Sequence, residues 1–277
     1  MNNGREGGKV ALVTGAGRGL GRRVAVALAA RGERVALVAR SEAQVLETEH
    51  LIRQAGGAAR AFPADVGDPA AVQELAGRVE GELGRVSILV NAAGVFGPIA
   101  LVKDGDPEAW VQTISANLIG PYLTCRTLVG GMIERGWGRI VHFSSAAALH
   151  PPGPLNSAYG TSKVALNQFT RHLAAELAGT GVTANVIHPG DVKTEMWADI
   201  RDQARRMGPE AEPYRKWVDW VDQTGGDDPQ KAADLVLRLT ADDEAAARTS
   251  GRFLWIENPL QAPIPSWDAP KDERPWK

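Results

Sequence analysis

Short apolar runs alternating with longer amphipathic stretches constrain this chain more than any other feature of its sequence. Val10-Ala-Leu-Val-Thr14, Val35–Val38, Ala58–Phe62, Ser87–Val90, Arg139–Phe143, Thr183–Ile187 and Gly251–Trp255 read as strands. Runs of that length, apolar throughout, suit strands covered on both faces. Helical patterns fall between them: Leu20–Ala30, a helix capped by Ser41 and running to Ala55, Pro69–Leu83, Ile114–Glu134, Tyr159 to Ala178, and Pro229–Leu239. Such alternation predicts an α/β fold, a doubly wound parallel sheet of about seven strands with helices on both faces and right-handed crossovers. No linker, composition shift or internal repeat divides the body. The expectation is a flexible N-terminus at 1–8 and a single domain at 9–258.

Two segments break the rhythm. Residues 191–228 are polar, contain two prolines and carry Trp197, Trp217 and Trp220; they read as an insertion over the sheet. Within them Tyr214, Trp217, Val218 and Val221 follow helical spacing, which predicts one apolar face. That face either lines a pocket for a bulky apolar or aromatic compound or packs on the body. Residues 259–277 hold five prolines with Trp267 and Trp276, a composition that excludes regular helix or central strand.

Composition removes several classes of function. Thirty-one basic and thirty-three acidic residues leave a net charge of −2, so bulk charge points to neither nucleic acid nor a membrane surface. No apolar run reaches the roughly 18 residues of a membrane span. Met1–Gly8 lacks the apolar core of a secretory signal. Cys125 is the only cysteine and reads as a small buried residue; with no intramolecular disulfide available, a cytoplasmic location is expected. The five histidines show no metal-ligand spacing, and no metal site is expected.

The turn Thr14-Gly-Ala-Gly-Arg-Gly-Leu-Gly21 lies directly between the first strand and the first helix. Glycine there permits a tight turn and lets backbone N–H groups approach a pyrophosphate at the helix N-terminus. Gly15, Gly17, Arg18, Gly19, Leu20 and Gly21 are therefore candidate cofactor contacts. The spacing Gly15/Gly19/Gly21 differs from the general dinucleotide fingerprint. A carboxylate about 20 residues on would hold the ribose of NAD; this chain has Ala39 followed by Arg40. Arg18 and Arg40 could converge on a 2′-phosphate, which favours NADP(H) and leaves NAD(H) open.

Tyr159 and Lys163 stand four residues apart on one helix face. An ammonium nearby would favour the phenolate and draw the tyrosine towards the working range. Alone, the pair is also what a solvated helix face looks like.

Taken in order, Thr14–Gly21, Asp65-Val66, Asn91-Ala-Ala-Gly94, Asn117, Ser144-Ser145, Tyr159/Lys163 and Pro189-Gly190 with Thr194 resemble the short-chain dehydrogenase/reductase family in its single-domain branch, over about Gly8–Trp255. The resemblance implies a Rossmann-like sheet and hydride exchange between NADP(H) and a ketone, aldehyde or alcohol. It implies that Asp65 and Val66 contact adenine and that Asn91, Ala92 and Gly94 close the cofactor floor. It also implies that Pro189, Gly190, Val192 and Thr194 hold the nicotinamide carboxamide and phosphates. Asp65 as a turn cap and Thr194 as a helix N-cap are the alternatives. The implied catalytic set is Asn117, Ser145, Tyr159 and Lys163. Tyr159 is the proton donor, Ser145 the hydrogen-bond donor to the carbonyl oxygen, Lys163 the group that lowers the phenol and binds ribose, and Asn117 the holder of a water. Residues 191–228 correspond to the family's substrate lid, and a homodimer or homotetramer through the helices at 114–134 and 159–178 is implied.

Departures from the pattern bear on these roles. The family usually sets its serine one residue closer to the tyrosine than Ser145 stands, so Ser144 competes for the role unless the loop His150–Leu155 carries a one-residue insertion. His150 in that loop is either a substrate-facing or a solvated side chain. The end of the last strand, Phe253-Leu-Trp-Ile-Glu-Asn258, runs into the proline-rich tail instead of a glycine turn. A non-catalytic NADP-sensing or scaffold protein, and a dehydratase or epimerase on the same scaffold, are the rival readings.

Overall fold

Each of the seven apolar runs is a strand. The computed structural model describes residues 8–149 and 153–256. Its strands are β1 Val10–Thr14, β2 Arg34–Ala39, β3 Ala58–Pro63, β4 Val86–Asn91, β5 Gly138–Phe143, β6 Val182–His188 and β7 Phe253–Trp255. They form one sheet in the order β3-β2-β1-β4-β5-β6-β7, with parallel pairing throughout.

Side chains leave a strand to alternate faces, and both faces are covered here, which is why the runs are apolar without a break. Ala11, Val13, Val35, Leu37, Ile88 and Val90 pack under α1 (Gly19–Arg31), α2 (Glu42–Gln54) and α9 (Pro229–Leu239). Val10, Leu12, Ala36, Val38 and Leu89 pack on the other face, under α3 (Pro69–Leu83), α5 (Gly120–Glu134) and α6 (Ser157–Glu176). Each buried Val or Leu contributes about 2 kcal/mol. Cys125 lies in the second layer as a buried thiol.

Helix starts follow local chemistry. Ser41 accepts from Gln44 N at the head of α2, and Asp68 accepts from Ala70 N and Ala71 N at the head of α3. The helix expected from Ile114 begins seven residues earlier. Asp106 caps α4 (Pro107–Ile114), with Pro107 in its first turn, and the helix continues through a π segment at Ser115–Ile119 into α5.

Between β6 and α9 the insertion folds as two helices, α7 (Glu195–Arg206) and α8 (Glu212–Thr224), with Pro213 in the first turn of α8. Trp197, Ile200, Ala204, Val218 and Val221 form a small core of their own with Ile99 and Leu155. Its base is tied where Val192 pairs with Gly226, Asp227 N donates to Asp191 O (3.0 Å) and Asp191 N donates to Asp227 Oδ2 (2.7 Å). The short α10 (Glu244–Arg248) precedes β7. His150 and the tail 259–277 lie outside the described residues. Among the described residues, no helix is long and apolar enough to cross a membrane.

Candidate active site

The sheet order reverses at β1, between β2 and β4, and a crevice opens above the carboxyl ends of these strands. Two cavities occupy it, of about 460 and about 480 Å³. Both are lined by Leu20, Ser144, Tyr159, Pro189, Thr194 and Met196, so Tyr159 stands where they meet.

The first cavity begins at the glycine turn. Gly15 and Gly19 have φ of +67° and +54°. A Cβ on Gly15 would stand 2.8 Å from Ala93 Cα, and one on Gly21 would stand 2.2 Å from Gly15 O. The turn therefore needs glycine for conformation and for close approach. Helix α1 starts at Gly19 with no side chain capping its free N–H groups, a cradle for an anion. Arg22 braces the turn from outside, donating to Gly17 O through Nε (3.0 Å) and pairing with Glu47 (2.7 Å); neither contact was anticipated. At the far end the cavity is lined by Gly17, Arg18, Ala39, Arg40, Ser41 and Gln44. Both Arg18 and Arg40 are exposed.

Along the floor lie Asp65, Val66, Ala92 and Gly94. Asp65 Oδ1 accepts from Gly67 N (2.9 Å), so the turn-capping role is realised while the residue also faces the cavity. Asn91 does not join them. Its side chain is buried, with Oδ1 accepting from Thr124 Oγ1 (3.0 Å) and Nδ2 against His142 Nδ1 (3.2 Å). It ties β4 to α5 and β5, and its side chain does not line the cavity. Gly190 and Val192 line the second cavity and not the first, whereas Pro189 and Thr194 line both. Thr194 stands at the N-cap position of α7 without a capping hydrogen bond from its side chain. The structure also brings Glu195 to the first cavity, a residue no motif singled out.

At the junction, the π segment presents Asn117 into the body. Its Oδ1 accepts from Val95 N (2.9 Å), and its Nδ2 donates to Val95 O (2.9 Å) and Ser162 Oγ (3.0 Å). A Cβ on Gly94 would stand 3.1 Å from Asn117 Oδ1 and 3.6 Å from Lys163 Nζ, so the cavity floor, Asn117 and Lys163 are in close register. Tyr159 and Lys163 are buried, at 9% and 4% exposure, which excludes the solvated helix face. The Ser145 hydroxyl stands close enough to Tyr159 to act on its phenol, and both side chains line the second cavity. Ser144 instead donates to Asn167 Oδ1 (2.6 Å), inside the protein, while its backbone N extends the β5–β6 ladder to Ile187 O (2.8 Å). In the loop between them and Tyr159, Leu155 has φ of +73°, the only non-glycine residue with positive φ among those described.

Burial dominates the electrostatics of this pair. Burial pushes the Tyr159 phenol up to about 12; the Ser145 hydroxyl acts downwards and the Asp191 carboxylate upwards. Lys163 is buried beside it. Its ammonium donates to Phe143 O (2.7 Å) and lies 5.4 Å from the tyrosine ring centroid. Burial brings Lys163 itself down to about 8. Chemically the junction is a protonated phenol beside a hydroxyl, facing two cavities at once.

The second cavity is walled by the insertion and by Phe96, whose ring lies 4.7 Å from that of Tyr159 and 6.0 Å from that of Tyr214. Tyr214 and Trp217 line it, while Val218 and Val221 from the same helix are buried in the insertion's own core. Both alternatives for the apolar face of α8 are thus realised, by different residues. Asp191 and Asn156 line the cavity as well. Among the described residues no group of three or more His, Cys, Asp or Glu side chains is placed to hold a metal ion.

The family model for short chain dehydrogenases matches residues 9–205. A short chain dehydrogenase of Pseudocercospora fijiensis is 38% identical over 193 residues, covering 69% of this chain and 62% of that relative's length. A variant of actinorhodin polyketide ketoreductase, crystallised with NADPH, superposes with a TM-score of 0.80 at 32% identity, covering 90% of this chain and 95% of that one. NAD+-bound xylitol dehydrogenase superposes with a TM-score of 0.81 at 28% identity, covering 91% and 99%.

Proposed function

The chain belongs to the short chain dehydrogenase family of oxidoreductases, and from that premise we propose that it interconverts a ketone or aldehyde and an alcohol with NADP(H), using Tyr159 as the proton-transfer group. The observation that carries this reading is Tyr159 at the meeting point of the two cavities, with Ser145 beside it in the lining of the second. The glycine turn, with space that any Cβ would fill, fits a dinucleotide pyrophosphate. The bound nicotinamide supplies the hydride. The protein's own part is to orient and polarise. Tyr159, with its phenol near 12, is fully protonated at neutral pH and gives its proton to the carbonyl oxygen as charge develops there. Ser145 donates a hydrogen bond to the same oxygen, an oxyanion-stabilising role. Lys163, at about 8, is largely an ammonium at neutral pH, suited to the nicotinamide ribose hydroxyls. Asn117 holds the Val95 backbone and the helix around Lys163 in place.

NADP(H) is preferred in this reading because Ala39 replaces the carboxylate that would hold an NAD ribose, and because Arg18 and Arg40 flank that end of the cavity. The family as a whole uses both cofactors, and the two solved neighbours hold one each. Residues 191–228 act as the substrate lid of a single domain spanning 9–258. Exposed Val111, Tyr122 and Val164 on α4, α5 and α6 support a homo-oligomer through these helices.

The test is to mix the protein with NADPH or NADH and a panel of aryl and alkyl ketones while following cofactor absorbance. Oxidation of NADPH in preference to NADH supports the reading. Tight cofactor binding with no turnover across the panel would favour a sensing or scaffold role.

A further inference from the structure

The second cavity has an unusual charge composition for an apolar site. Aromatic rings wall it from several sides: Phe96, Trp197, Tyr214 and Trp217, with Tyr159 at the floor. Among the described residues of its lining, Asp191 is the one carboxylate and there is no lysine or arginine. The histidine in its lining, His188, is engaged within the protein, accepting from Ala146 N through Nδ1 (3.2 Å) and lying against Trp255. The Asp191 carboxylate makes no hydrogen bond or ion pair among the described residues; only its backbone N and O are engaged, by Asp227.

Filling such a cavity removes water from the carboxylate. Desolvating an ionised carboxylate is costly unless a positive group or several donors take the water's place. Aromatic faces attract cations as well, through the ring quadrupole. We propose that Asp191 is a specificity-determining residue and that the cavity selects carbonyl compounds carrying a protonated amine next to an aromatic or other apolar body, while rejecting carboxylate-bearing ones. This inference rests on the proposed carbonyl reduction only for the reaction, not for the binding preference. A bound ammonium would also offset the field by which Asp191 raises the Tyr159 phenol, so recognition and proton donation are coupled in the same direction.

The experiment uses three probes of nearly one shape: phenethylamine, 2-phenylethanol and 3-phenylpropanoate, titrated calorimetrically into the full-length protein and into Asp191→Asn near neutral pH. Because the Asp191 side chain makes no bond within the fold, the variant is expected to fold. The wild type should bind the amine at least ~10-fold more tightly than the alcohol, consistent with one charged hydrogen bond, and the propanoate most weakly. Asp191→Asn should bring the amine to the level of the alcohol. In the wild type alone, raising salt to about 0.5 M should narrow the gap, a reading independent of the variant. Equal affinity for amine and alcohol, tighter binding of the alcohol, or a preference that survives Asp191→Asn would overturn the proposal. Turnover of neutral acetophenone with NADPH is followed in parallel. Acetophenone turnover without amine preference sinks the inference and leaves the reductase standing; amine preference without turnover of any ketone does the reverse.

Discussion

Replacing Lys163 with methionine should change the pH dependence of folding by an amount the site itself sets. Burial lowers this lysine from 10.5 to about 8. Between those values the unfolded chain holds a proton that the folded chain has released. Raising the pH through this window therefore favours the folded state, and the stabilisation is lost again as pH falls through about 8. The drop from 10.5 to about 8 corresponds to about 3 kcal/mol, of which about 2 kcal/mol is expressed by about pH 9.5. Tyr159 works in the opposite direction, since its folded phenol keeps its proton up to about 12, but only above the ordinary tyrosine value of 10. Urea unfolding at about pH 7 and about pH 9.5 thus isolates the lysine. Methionine matches its length and cannot titrate, so other groups cancel in the difference between the two proteins. The wild type should gain about 2 kcal/mol on Lys163→Met across that interval. A difference that stays constant across it would refute the burial argument.

Two further substitutions test the cofactor end. Arg18→Ala and Arg40→Ala should each weaken NADPH binding by about 10-fold, at the low end of a charged hydrogen bond because both groups are exposed, with NADH affinity unchanged; fluorescence titration reads both. Gly21→Ala forces a Cβ to 2.2 Å from Gly15 O, so the turn must open. NADPH and NADH affinity should fall together, and stability should drop by about 1–3 kcal/mol in a thermal melt.

Strands were the most legible part of the chain because burial on both faces leaves an uninterrupted apolar run. Helix α4 was not legible although Asp106-Pro107 is a regular start signal, because at eight residues it spans little more than two turns before the π segment. The π segment had no local signal at all; it is fixed by Asn117 reaching Val95 and Ser162, partners distant in sequence. Helix α7 buries Trp197, Ile200 and Ala204 at helical spacing, a pattern present in the sequence but diluted by the charges around it. At the site, order along the chain was enough to select Tyr159, Lys163, Ser145 and the glycine turn. Which way Asn91 turns was not legible, since Thr124 and His142 come from other elements. Nor was the lone carboxylate of Asp191 in an aromatic cavity, because only the folded insertion brings Phe96, Tyr214 and Trp217 around it.

The central claim, that Tyr159 is the proton donor at the junction of a cofactor cavity and a substrate cavity, is tested most directly by Tyr159→Phe. Phenylalanine keeps the ring against Phe96 and removes only the hydroxyl. NADPH binding should be unchanged while ketone reduction falls by at least ~10²-fold. Turnover within a few-fold of the wild type, with NADPH still bound, would contradict it.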